Sequence, residues 1–136
     1  MPSPDSTRRF ARERLADFIR DALARVGLPE ADAATVAALM AEADLQGSDG
    51  HGVMRLPQYV RRIEAGGMNV RPDIRVVEER AAMALVDGDN GMGHLVMTRA
   101  AEIAIAKART AGVAWVGTRW SNHAGPASLY ARKALA

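Results

Sequence analysis

Ala82-Met83-Ala84-Leu85-Val86-Asp87 precedes a helical pattern running from about Met92 to Ala111, which gives way to Val113-Ala114-Trp115-Val116-Gly117. Two short apolar runs of strand character therefore bracket one long helix. Leu95, Val96, Ala100, Ile103, Ala104 and Ala108 recur at helical spacing along it, and Gly112 stands where a helix C-cap is expected. A strand, a crossover helix and a second strand make a βαβ unit with parallel strands. Just upstream, Ile74-Arg75-Val76-Val77-Glu78 reads as another strand, and a short turn around Arg80 pairs it antiparallel with 82–87.

Further upstream the pattern is helical. Ser6 or Thr7 is positioned to cap a first helix whose apolar positions include Phe10, Leu15, Phe18, Ile19, Leu23 and Val26, closed by Gly27. Pro29 suits the first turn of a second helix, with Glu30 and Asp32 at its positive end and Val36, Leu39, Met40 and Ala43 on its inner stripe. A third helix carries Leu56, Tyr59, Val60 and Ile63 and ends at Gly66-Gly67. A last helix begins near Pro126 with Leu129 and Tyr130. The expected fold is α/β: an N-terminal layer of three helices, then a small mixed sheet with a βαβ crossover. The division falls into residues 1–67 and 68–136. Three strands make a small sheet, so the second unit reads as the truncated opening of a larger α/β domain.

Composition narrows the function classes. The 136 residues fit one ordinary domain, with 49% hydrophobic and 25% charged residues. Net charge is +2, and the arginines between Arg8 and Arg25 are interspersed with Glu13, Asp17 and Asp21. That is a solvated helix face rather than a nucleic-acid stripe. The absence of cysteine excludes disulfides, thiolate catalysis and cysteine–zinc sites. No apolar run reaches the ~20 residues of a membrane span, and no secretory signal pattern opens the sequence, so a cytoplasmic location is expected.

Chemistry concentrates in two histidine turns. In Asp49-Gly50-His51-Gly52-Val53-Met54-Arg55 the glycines permit close ligand approach, and Arg55 is a fixed cation suited to a carboxylate. The same residues also make an ordinary interhelical turn with Arg55 in a salt bridge. Asp49 is placed either to orient the His51 imidazole or to cap the third helix. Ser121-Asn122-His123-Ala124-Gly125 follows the last strand, at the edge of an α/β sheet where ligands gather. Gly88-Asp89-Asn90-Gly91-Met92-Gly93 has glycines in the wrong order for a dinucleotide fingerprint and reads as a tight turn with amides open to an anion. His94 reads as a surface residue at a helix N-terminus. Three histidines with scattered acids lack metal-ligand spacing, so no metal is expected.

Asp44 to Tyr59, Val86 to Gly93 and Ser121 to Gly125 together resemble, in the same order, the signature blocks of the malate/L-lactate dehydrogenase family of non-Rossmann NAD(P)-dependent oxidoreductases. The resemblance runs from Phe10 onward. It implies interconversion of 2-hydroxy and 2-oxo acids with NAD or NADP, with His51 as acid/base and Asp49 beside it in the catalytic turn. It implies Arg55, His123 and Asn122 as substrate-binding residues, and His123 and Gly125 as cofactor contacts. Gly50 replaces a frequent serine, and Ala124 replaces a common bulky aromatic, which would widen or reshape the pocket. Family members are well over twice as long. The resemblance thus predicts an N-terminal portion, inactive alone, and the apolar stripes and unpaired sheet edges of the chain predict that it forms a homodimer or joins the missing C-terminal part. The alternative is a non-catalytic remnant serving as a binding or dimerisation module.

Overall fold

The computed structural model describes residues 9–135. Helices α1 (Arg12–Arg25), α2 (Glu30–Leu45) and α3 (Leu56–Glu64) form the first layer. Strands β1 (Arg75–Glu79) and β2 (Met83–Gly91), helix α4 (Gly93–Ala111), strand β3 (Trp115–Ser121) and the short α5 (Ser128–Ala131) follow. The sheet order is β1-β2-β3, with β1 antiparallel and β3 parallel to β2. The mixed sheet and its crossover helix are therefore as expected. The proposed caps Ser6 and Thr7 lie outside the described residues; α1 starts after Ala11 with no side-chain cap.

The helix layer closes around Ile19, Leu23, Val36, Met40, Leu56, Tyr59 and Ile63, all buried. Met92, at the head of α4, joins the same cluster and so fastens the two segments together. On the other side of α2, Ala43 packs on Leu129 and Tyr130. Val86, Val96 and Ala100 form the seam between α4 and one face of the sheet. Phe10 and Phe18, expected on the inner stripe of the first helix, are instead exposed. No helix among the described residues is long and apolar enough to cross a membrane.

Both parallel strands run further than their sequences predict. Thr118 pairs with Val86 and Arg119 with Asp87, where Arg119 Nε donates to Asp87 Oδ2 at 2.8 Å. This ion pair carries β3 past Gly117. Segment 88–91, expected as a tight turn, is the end of β2. Its glycines serve close approach. A Cβ on Gly88 would lie 2.7 Å from a Val96 methyl and 2.8 Å from the Trp120 carbonyl oxygen, and one on Gly91 would press into the Pro72 ring. The register slips between Asp87 and Gly91, where Asp89 and Asn90 on β2 and Trp120 on β3 all adopt positive φ. A tryptophan backbone held at φ 50° is strained. Pairing resumes at Gly91 with Ser121, which sets the start of the second histidine turn beside the head of α4.

Candidate active site

His51 sits at the end of a tight 3-10 turn, Asp49–His51, and Arg55 ends the next one, Val53–Arg55, at the head of α3. The turn is built by Asp44 at the end of α2. Its Oδ2 accepts the Val53 N–H at 2.9 Å, and its carboxylate fills the space that any side chain on Gly52 would need. Burial pushes the Asp44 pKa up, the Val53 amide opposes this, and the charge of Asp49 adds to the rise. Asp49 is exposed and bonds neither the His51 ring nor α3 among the described residues. Asp44, not singled out from sequence, is the carboxylate that shapes this turn.

Arg55 is aimed rather than free. Its Nε donates to Gly50 O at 2.8 Å and its Nη1 to Gln58 Oε1 at 2.7 Å. Gly50 thus contributes a carbonyl to the cation, and no acidic side chain pairs with Arg55 among the described residues. The salt-bridge reading of Arg55 is therefore not what the structure shows.

The second turn comes to meet the first. The His51 and His123 ring centroids are 5.3 Å apart, with the planes inclined by 30°. The Tyr59 hydroxyl, on the inner face of α3, lies 2.7 Å from His123 Nδ1, and the Gly125 N–H donates to the same nitrogen at 3.4 Å. Burial lowers the His123 pKa, and the positive charges of Arg55 and His51 lower it further. Burial also holds the Tyr59 phenol up at about 12, against the opposing charge of Arg55. Sequence reading gave Tyr59 only a core role. The available signal was a buried tyrosine, whose hydroxyl must find a partner.

Asn122 anchors the turn. Its Nδ2 donates to Asn90 O at 2.8 Å, Asn90 Oδ1 at 3.0 Å and Gly91 O at 3.0 Å. The side-chain amide hydrogens expected to face a substrate are engaged with the end of β2. Ala124 faces inward onto the Ala43, Leu129 and Tyr130 cluster, and its carbonyl oxygen accepts the Tyr130 hydroxyl. Its small side chain therefore suits that packing rather than widening a ligand pocket.

His94 overturns its reading as a surface residue. It is 0% exposed, edge-on to the Tyr59 ring at 5.8 Å, and neither ring nitrogen has a hydrogen-bond partner in the structure. The 122–125 turn folds down over it. Gly125, at φ 74°, lies where a Cβ would stand 3.2 Å from His94 Nε2. Desolvation, then the charges of His123 and His51, push its pKa down to about 4. Tyr59 thus lies against both His94 and His123, and His51 joins the group through His123. No group of three or more His, Asp or Glu side chains among the described residues is arranged to hold a metal ion.

Comparison with known proteins decides the family. The family model described as "Malate/L-lactate dehydrogenase" matches residues 10–136. The chain belongs to this family. It is 46% identical over 123 residues to a malate dehydrogenase of Pyrococcus horikoshii, covering 90% of this chain and 34% of that protein. It is 44% identical over 118 residues to an L-sulfolactate dehydrogenase of Methanocaldococcus jannaschii, covering 87% and 34%. An Escherichia coli ureidoglycolate dehydrogenase, named as NAD(+)-dependent, is 35% identical over 126 residues, covering 93% and 36%. The solved malate dehydrogenase of P. horikoshii superposes with a TM-score of 0.89 at 44% identity, over 93% of this chain and 36% of that one. This member of the family spans about a third of the length of the curated relatives it matches.

Proposed function

We propose that this chain is the substrate-gripping, N-terminal portion of a nicotinamide-dependent dehydrogenase that interconverts 2-hydroxy and 2-oxo acids. The observation that carries the reading is the pair of imidazoles 5.3 Å apart with Arg55 oriented beside them by Gly50 and Gln58. Relatives named for malate, sulfolactate and ureidoglycolate support it, since each of these is a hydroxy acid with a carboxylate. Arg55 holds the substrate carboxylate through N–H groups that Gly50 and Gln58 leave free. The carbonyl oxygen then faces the histidines. In reduction His51 gives its proton to that oxygen, and in oxidation it takes the hydroxyl proton back.

Bound NAD or NADP supplies the hydride. The residues present fit the reactive end of such a cofactor. His123 and Gly125 occupy the turn beyond the C-terminal end of β3, the edge of a parallel pair where ligands bind. Segment 88–93 does not offer a phosphate cradle, because 88–91 end β2 and the glycines at 88, 91 and 93 are packed against Val96, Pro72 and the 122–123 backbone. Calorimetric titration with oxaloacetate tests the reading. Binding to the 136-residue chain is expected to weaken about tenfold or more in Arg55→Gln, through loss of a charge-assisted bond. NADH-dependent turnover by the chain alone is expected to be absent. Oxaloacetate binding unaffected by Arg55→Gln sinks the assignment of the clamp, and robust turnover by the chain alone sinks the exclusion of the cradle.

The proposal includes association, most simply as a twofold homodimer. The sheet carries α4 on one face only, and Trp115 on the other is 73% exposed. β3 is an edge strand, and Phe18 on α1 with Phe10 just before it leaves a second apolar area open. Parallel strand pairs are ordinarily covered on both faces. Sedimentation equilibrium at micromolar concentration is expected to give a dimer, and a stable monodisperse monomer counts against it.

A further inference from the structure

We infer that Tyr59 and the Gly125 amide lock the His123 imidazole with its proton on Nε2, so that His123 serves as a fixed hydrogen-bond donor and Tyr59 as its positioning residue. The assignment follows from donor capacity. A backbone N–H can only donate, so the Gly125 N–H at 3.4 Å requires Nδ1 to accept. The Tyr59 hydroxyl 2.7 Å from the same nitrogen must then donate as well. With two donors aimed at Nδ1, no proton resides there, and the single N–H of a neutral imidazole falls on Nε2. The surroundings agree. Burial raises the pKa of the phenol, and partial desolvation together with the positive charges of Arg55 and His51 lowers that of His123. His123 is otherwise exposed, so Nε2–H is the edge left for a ligand.

The consequence deepens the functional reading, on which it rests. A neutral imidazole that surrendered its Nε2 proton would become an imidazolate. Nδ1 cannot relieve this by taking the Tyr59 proton, because that would strand a phenolate in a buried position. His123 therefore polarises a carbonyl oxygen without giving up its proton, as an electrophile. The proton that balances hydride addition comes from His51 and returns to it in the reverse direction.

The test is a long-range nitrogen–proton NMR spectrum of the imidazole rings of the 136-residue chain at pH 7.5, assigned with His123→Gln. His123 is expected to show a protonated Nε2 and a bare, hydrogen-bonded Nδ1. Tyr59→Phe keeps the ring in place and removes one donor. It is expected to move the tautomer ratio about fivefold toward the Nδ1–H form, the effect of one hydrogen bond. A wild-type proton on Nδ1 overturns the inference without any variant, and so does an unchanged ratio in Tyr59→Phe. Titration with oxaloacetate in the same sample addresses the functional reading separately. If it leaves the His51 and His123 signals unmoved while the tautomer is as described, the substrate assignment fails and the lock stands.

Discussion

Gly93→Ala is expected to destabilise the protein by on the order of 3 kcal/mol, against the sign that helix propensity alone would give. Gly93 is the first residue of α4 and does not adopt positive φ, so alanine there carries no backbone strain and would by itself favour the helix by up to about 1 kcal/mol. The neighbours reverse the sign. A Cβ at this position would collide with the carbonyl oxygens of both Asn122 and His123. Those are main-chain atoms in a turn tied to β2 by the amide of Asn122, so they cannot swing aside as a flexible side chain would. Relief must come from displacing the turn, which breaks the Asn122 bonds and draws His123 away from Tyr59. Urea unfolding is the measurement. A midpoint at or above that of the wild type would mean that the turn does not bear on α4 as described. The same variant is expected to move the His123 ring resonances, which a loss of stability confined to α4 would leave in place.

That contact also marks where sequence reading runs out. Periodicity placed the helices and strands well, because apolar spacing along α2, α3 and α4 is a local property that packing then ratifies. The order of the sheet followed from chain connectivity alone. His51, Arg55 and His123 stood out by their place in two turns, but the same residues also suit ordinary turns, and it was the family resemblance that gave them roles. The glycines of 88–93 were misread for a physical reason. A glycine that bends the chain and one that admits a neighbour look identical in sequence, and the neighbours here, Val96, Pro72 and residues 122–123, come from three separate segments. The burial of His94 was hidden likewise, since the turn that covers it arrives after α4 and β3 have been laid down. Tyr59 was correctly placed on the inner stripe of α3, but its hydroxyl meets a partner 64 residues away, beyond the reach of local patterning. Phe10 and Phe18 match the helical spacing, yet Phe10 precedes α1 and Phe18 stays exposed, while Ile19 and Leu23 are the α1 residues buried in the core.

His94 carries the second large effect, a loss of stability on mild acidification. Its imidazole is buried without a hydrogen-bond partner and is held neutral, with its pKa pushed down to about 4 from an ordinary 6.5. Desolvation is the largest cause, followed by the positive charges that His123 and His51 carry when protonated. In the unfolded chain the same group takes up a proton near its ordinary pKa. Between about pH 6.5 and pH 4 the unfolded state therefore binds more protons than the folded one, so stability falls as pH falls through that window. The full interval corresponds to about 3 kcal/mol, a large part of a small domain's stability. Above pH 6.5 the group is neutral in both states and contributes no pH dependence. His123, whose pKa is also lowered, adds in the same direction, whereas the lowered pKa of Asp87 acts only at more acid pH. His94→Leu separates the contributions. It substitutes an apolar side chain in an apolar setting, and the slope of unfolding free energy against pH between 6.5 and 4 is expected to flatten, whatever the variant's stability at pH 7.5. Urea titrations of both proteins at four pH values supply the slopes. Parallel pH dependences in wild type and His94→Leu would show that the buried imidazole does not govern acid sensitivity. A flattened slope would make the buried His94 ring behind Tyr59 the group that sets the acid sensitivity of the fold.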